Sequence, residues 1–155
     1  MHKPPLLIMK SNDNSGHLRD LGERFAAEDP PINIRALGGG ESEGNGVFAI
    51  AIDDDTPERL ARVHEIAEEL GFEHQELDGV AFELDDRPGS LGEATRWLAA
   101  EDPPIKVNSL LVVGANNDRP IVVIGVQGGN AIASNARGVL EAHGYTTYEH
   151  EVPKR

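Results

Sequence analysis

The chain has no cysteine, few aromatic residues and a shortage of basic ones. The absence of cysteine excludes disulfides and thiolate chemistry, and it removes the commonest ligand of structural zinc sites. Aromatic residues make up 5% of the chain, and 14 Lys and Arg stand against 27 Asp and Glu, for a formal net charge of −13. That charge repels the phosphates of nucleic acids and of anionic membranes. We therefore expect neither nucleic acid nor a membrane as a partner.

Long apolar runs are also missing. The stretch from Leu6 to Met9 is shorter than the apolar segment of a signal peptide, and no later stretch approaches the length of a membrane span. A cytoplasmic location is therefore the default expectation. With 155 residues, the chain has the length of one ordinary domain or two small ones.

One heptapeptide, AAEDPPI, occurs twice, at residues 26–32 and 99–105, and the two copies begin 73 residues apart. The same offset relates other turn-forming residues: Asp13 and Asp86, Gly16 and Gly89, and Gly71 and Gly144. Self-similarity at a fixed spacing is typical of a duplicated structural unit. The sequence therefore predicts two repeats, at residues 1–78 and 79–155.

Each repeat shows the pattern βαββαβ. Short apolar runs bounded by polar or glycine-rich segments predict the strands, and helical spacing predicts the first helix of each repeat. The buried faces of these two helices are predicted to contain Leu18, Leu21 and Phe25 in one repeat and Leu91, Ala94 and Leu98 in the other. Two right-handed crossovers then give an α/β fold of the α+β sandwich kind: ferredoxin-like units with antiparallel sheets and the helices on one face.

Three connecting segments carry specific predictions. In AAEDPPI, proline disfavours a helical residue before it, so the heptapeptide should end a helix and begin a strand. The glycine-rich segment 38–46 is predicted to be a flexible connection between strands, since no Lys follows to support a phosphate site. Asp78-Gly79 is a strong signal for a tight hairpin, which would let the two repeats share or exchange edge strands.

The order of motifs in both copies resembles the ACT domain, a ligand-sensing module of amino-acid metabolism. ACT units run from a strand through D-x-P-G-x-L to a helix, continue into an I-N-I strand, and end with a helix that closes near G-Y. The second copy has VAFELDDRPGSL at residues 80–91, IKV at 105–107 and HGY at 143–145. The first copy has DNSGHL at residues 13–18 and INI at 32–34. The resemblance covers nearly the whole chain.

Each copy departs from the family pattern at one place. The first copy has Ser15 where the second has Pro88, and the second has Lys106 where the first has Asn33. In ACT domains the ligand typically lies between the loop after the first strand and the second strand of a neighbouring unit. The resemblance therefore implies that the two copies complement each other or that one of two sites binds.

The loop after the first strand is the candidate ligand site in each copy. Glycine permits close approach of the backbone, the following helix N-terminus favours a carboxylate, and Asp or Asn oxygens accept from an ammonium group. The same residue types are also common in any strand-to-helix turn. The candidate ligand-binding residues are Asn12, Asp13, Gly16, His17, Asn33, Asp86, Gly89 and Ser90. The six histidines show no paired metal-ligand spacing, so neither a metal nor another cofactor is expected.

These features favour a regulatory protein without catalytic activity. No nucleophile with an adjacent base can be identified, and the ACT resemblance implies an amino acid as the ligand. Ligand binding would shift the association of the chain with itself, as a homodimer, or with a regulated metabolic enzyme. Two alternatives stay open: a small enzyme on a ferredoxin-like scaffold, and a scaffold or interaction protein with degenerate ligand sites.

Overall fold

The computed structural model describes residues 6–11, 16–42, 44–54 and 56–148. The elements in chain order are β1 (Leu6–Ser11), α1 (His17–Ala26), β2 (Ile34–Ser42), β3 (Asn45–Ile52), α2 (Pro57–Glu69), β4 (Glu73–Glu83), α3 (Ser90–Ala99), β5 (Val107–Asn116), β6 (Arg119–Val126), α4 (Asn130–Ala142) and β7 (Thr147–Tyr148). Among the described residues, no helix is long and apolar enough to cross a membrane.

The chain divides into two compact units, one formed by Leu7–Glu76 and the other by the chain from Leu77 onward. In the first unit the strand order is β2-β3-β1-β4, and in the second it is β5-β6-β4-β7. The pairs whose register is defined are antiparallel. The predicted ferredoxin-like fold is confirmed.

Each unit has its own apolar core between its helices and its sheet. In the first, Leu21 and Phe25 of α1 pack with strand residues such as Ile50. In the second, Leu98 of α3 and Phe82 of β4 hold the corresponding places. All five side chains are almost completely buried, so apolar burial supplies the main driving force for each unit.

The predicted hairpin at Asp78-Gly79 is wrong, because both residues lie inside the continuous strand β4. Asp78 pairs with Val126 and Gly79 pairs with Gly125. A tight hairpin of this kind requires positive φ at both central residues, and neither is among the residues with positive φ. One strand therefore serves as the last strand of the first order and takes part in the second.

The helical faces predicted from the sequence need one correction in each repeat. Leu18 and Leu91 are 38% and 41% exposed, and the preceding residues, His17 and Ser90, are buried instead. The stripe therefore begins one residue earlier, with a polar side chain, and only its later positions are apolar. The periodicity favoured leucine because it weighs hydrophobicity and not shape.

The heptapeptide AAEDPPI ends a helix in both copies, as predicted, with α1 and α3 stopping at its first residue. The backbone N–H of Ile32 donates to the carbonyl of Phe25 over 2.9 Å, and that of Ile105 donates to the carbonyl of Leu98 over 3.0 Å. Both isoleucine side chains are buried. The repeated segment is thus a turn that returns the chain onto the end of its own helix.

The glycine-rich segment is more ordered than the sequence predicted. Gly38, Gly39 and Gly40 lie within β2 and pair with β3 in regular register. A flexible connection there was the wrong prediction, because strand pairing outweighs the low intrinsic strand preference of glycine. A Cβ at position 39 would meet the carbonyl oxygen of Val47, so the glycine permits a close approach of two backbones.

Replacing Gly39 by alanine should therefore destabilise the first unit by about 1–3 kcal/mol, the usual effect of overpacking. The matched control is Gly22→Ala in the exposed part of α1, where a Cβ meets no atom within 4 Å. That change should stabilise by up to about 1 kcal/mol, because alanine is the better helix former. Urea unfolding measures both. Equal effects of the two substitutions would contradict the close packing described at Gly39.

Candidate functional site

A small polar cleft lies at the end of β4 in the second unit. Its volume is about 150 Å³, below the roughly 300–1,000 Å³ of sites for drug-sized ligands. Glu83 ends the strand, Arg119 begins the neighbouring strand β6, and Tyr145 returns from helix α4. The loop between β4 and α3 contributes Asp85 and Arg87. The topology thus brings four separate parts of the chain to one end of the sheet.

Glu83 is a buried carboxylate with a full set of partners. It accepts a hydrogen bond from the Tyr148 hydroxyl and one from Asn116 Nδ2 over 2.8 Å, and Arg119 Nη1 lies 3.6 Å from its other oxygen. The hydrogen bonds from Tyr148 and then Asn116 hold the pKa of the Glu83 carboxyl below its ordinary value of 4.5. Burial and the Glu83 carboxylate in turn raise the pKa of Tyr148 above 10.0. The charge of Glu83 is therefore built into the wall of the cleft.

Two arginines are held beside the cleft by carboxylates. Arg119 Nη2 lies 2.9 Å from Asp85 Oδ1, and Arg87 Nη2 donates to Glu93 Oε2 over 2.6 Å. Both guanidinium side chains remain more than half exposed. Because a guanidinium has five N–H donors, each retains donors for a further acceptor. The cleft thus offers fixed positive and negative groups within a small volume.

A turn of opposite hand positions Tyr145 beside these charges. Gly144 ends the helix with φ of +87°, a conformation that favours glycine, and the Tyr145 N–H donates to the Leu140 carbonyl over 3.0 Å. The ring meets Phe82 edge to face, with centroids 5.9 Å apart. Burial, followed by the Glu93 carboxylate, raises the pKa of the Tyr145 phenol above its ordinary 10.0. A neutral aromatic ring therefore forms part of the cleft lining.

The candidate residues of the second repeat lie in or next to the cleft. Ser90 lines it and donates through Oγ to the Asp85 carbonyl over 2.7 Å. Gly89 precedes α3 with φ of +86°, which makes a side chain there strained. Asp86 is exposed in the same loop, one residue after Asp85. The structure thus brings Ser90, Gly89 and Asp86 together as parts of one loop.

The candidate residues of the first repeat are not brought together in that way. Asn12 and Asp13 lie outside the described residues. Gly16 has φ of −95°, which any residue adopts, and His17 is buried with both ring nitrogens engaged within the unit. Asn33 is exposed, donates to Asp53, and precedes the end of β2 that is remote from this loop.

Sequence patterns missed the residues that line the cleft from other elements. Glu83 occupies an ordinary strand position in the sequence, and Tyr148 is 65 residues away from it. Only Arg119 gave a signal, because a cation in a hairpin turn is suited to pairing with a carboxylate. That pairing is confirmed by its contacts with Glu83 and Asp85.

Comparison with known proteins identifies the fold. No family model and no curated protein sequence matches the chain. Among solved structures, protein BT0572 from Bacteroides thetaiotaomicron has a TM-score of 0.68 at 20% identity, covering 94% of this chain and 92% of that chain. The regulatory subunit of aspartate kinase from Thermus thermophilus has a TM-score of 0.59 at 12% identity, with coverages of 92% and 93%. The corresponding subunit from Thermus flavus has a TM-score of 0.60 at 14% identity, with coverages of 90% and 92%.

These aspartate kinase subunits are ACT-domain regulatory proteins. The expected resemblance to tandem ACT proteins is therefore confirmed at the level of the fold.

The buried carboxylate predicts a specific acid dependence of stability. Because the pKa of Glu83 is lowered on folding, its contribution is complete above about pH 4.5 and is lost as the pH falls through the folded pKa. Glu83→Gln should lower the free energy of unfolding by about 1–3 kcal/mol at pH 7, since buried donors lose a charged acceptor. The difference from the parent should shrink toward pH 3, as measured by urea unfolding at both pH values.

Glu73→Gln is the control, because Glu73 is an exposed residue of the same strand. Tyr148→Phe provides a second test. It removes the largest cause of the lowered pKa and should move the acid loss of stability to higher pH. A Glu83→Gln variant with unchanged stability at pH 7 would refute the role assigned to this carboxylate.

Proposed function

We propose that the protein is a regulatory protein without catalytic activity that binds an amino acid in the cleft of its second repeat. The repeats correspond to residues 1–78 and 79–155, and binding shifts the association of the chain with a second copy or with a regulated enzyme. The aspartate kinase regulatory subunits that share the fold support a regulatory role.

The observation that carries this proposal is the pairing of opposite charges in the cleft. A free amino acid has a carboxylate and an ammonium group on the same carbon. Arg87 and Arg119 supply donors for the carboxylate, and Asp85 and Glu93 supply acceptors for the ammonium. Charge-assisted hydrogen bonds of this kind are stronger than neutral ones. The volume of about 150 Å³ suits one small molecule.

Exposed apolar side chains support a change in association as the output. Leu37 of β2 and Leu110 of β5 are 46% and 37% exposed, and Val112 is 49% exposed. Strands β2 and β5 are the end strands of their respective orders. Exposed apolar residues on an end strand favour contact with another chain.

A thermal unfolding screen against the twenty amino acids tests this function. An amino acid present at 100 times its dissociation constant should stabilise the folded chain by about 2.7 kcal/mol. Arg87→Ala should weaken that binding at least about tenfold, because a hydrogen bond to a charged group contributes about 1.5–3 kcal/mol. The control is Arg19→Ala, since Arg19 is exposed on α1 and pairs with the adjacent Asp20.

Sedimentation velocity with and without the amino acid then tests the effect on association. If none of the twenty amino acids stabilises the protein, the proposed function is wrong. If one binds equally well to the Arg87→Ala variant, the cleft is not its site.

A further inference from the structure

The two repeats place different residues at one equivalent position. His17 is the first residue of α1, and Ser90 is the first residue of α3, 73 residues later. The surrounding backbone is alike in both units. Gly71 and Gly144 have φ of +82° and +87°, and each is followed by an aromatic residue whose N–H donates to the carbonyl five residues earlier.

In the first repeat, the imidazole of His17 packs into this position. It stacks on Phe72 with ring centroids 3.6 Å apart and planes 15° apart. Nε2 lies 2.5 Å from the Leu70 carbonyl oxygen, and Nδ1 lies 2.5 Å from the Ser11 hydroxyl. A carbonyl only accepts, so Nε2 carries the proton and donates. Only 7% of His17 is exposed.

In the second repeat, the same position holds the much smaller Ser90, and a cleft is present. Tyr145 replaces Phe72, His143 replaces Leu70, and both line that cleft together with Ser90. The volume occupied by an imidazole in one repeat is thus open in the other. The open repeat is also the one in which arginine and carboxylate groups surround the opening.

We propose that the side chain of His17 occupies in the first repeat the place that a free ligand takes in the second, and that this ligand carries an imidazole ring, as L-histidine does. The chain then binds one ligand, in the second repeat only. This inference rests on the proposed function and adds the ligand class and the number of sites.

The ligand chemistry follows from the contacts of His17. The ring of the ligand stacks on Tyr145, and its N–H donates to the carbonyl of His143, as His17 does with Phe72 and Leu70. The carboxylate and ammonium groups, which the His17 backbone does not present as charges, bind the arginines and carboxylates of the cleft. These charged groups are described only for the second repeat, so the free molecule binds there.

Isothermal titration calorimetry with L-histidine tests the inference on the full chain. The parent should bind one L-histidine, at least tenfold more tightly than L-leucine or L-histidine methylated at Nε2. Ser90→His should abolish binding, because its own imidazole fills the cleft. The control Leu91→His adds the same side chain at the exposed neighbouring position and should bind as the parent does.

His17→Ala gives an independent test from the other repeat. It should unfold at a lower temperature than the parent, and added imidazole should restore part of that loss. Tighter binding of L-leucine than of L-histidine would overturn the ligand class and leave the proposed function standing. Absence of binding by every amino acid would overturn both. Undiminished binding of L-histidine to Ser90→His would overturn the assignment of the site.

Discussion

Strand β4 runs for eleven residues and takes part in both strand orders, beside β1 in one and between β6 and β7 in the other. Its length sets where the second repeat begins, and its last residue, Glu83, is the buried carboxylate of the cleft. The hydrogen bonds to Glu83 come from Tyr148 of β7 and Asn116 of β5, while Arg119 of β6 lies nearby. One carboxylate therefore links three other strands of that unit, and removing its charge leaves several donors without an acceptor.

Duplication supplies the scaffold, and divergence at a few positions supplies the difference in chemistry. The turn that ends α1 and α3, the left-handed glycines before Phe72 and Tyr145, and the strand orders are shared by the two units. The side chains at the end of the sheet are not. An imidazole closes one unit on itself, whereas a serine leaves the other open between fixed charges. A tandem repeat can in this way keep one copy for stability and use the other for binding.

The sequence predicted the elements well where the signal was local. Proline in AAEDPPI ended both helices, and the offset of 73 residues aligned both copies. It failed where tertiary pairing decided the outcome. Asp78-Gly79 became part of a strand because Val126 and Gly125 pair with it, and the glycines of β2 became ordered because β3 lies close to them. The cleft needed residues from four elements, and no spacing in the sequence places Glu83 near Tyr148.

Backbone amide chemical shifts recorded during a titration with L-histidine test the central claim most directly. The account predicts that the amides of residues 83–93, 119 and 143–146 shift together with a single dissociation constant. It also predicts that those of residues 16–18 and 70–72, where His17 already fills the equivalent position, stay unchanged. Shifts of equal size in both regions would show two open sites and contradict the account.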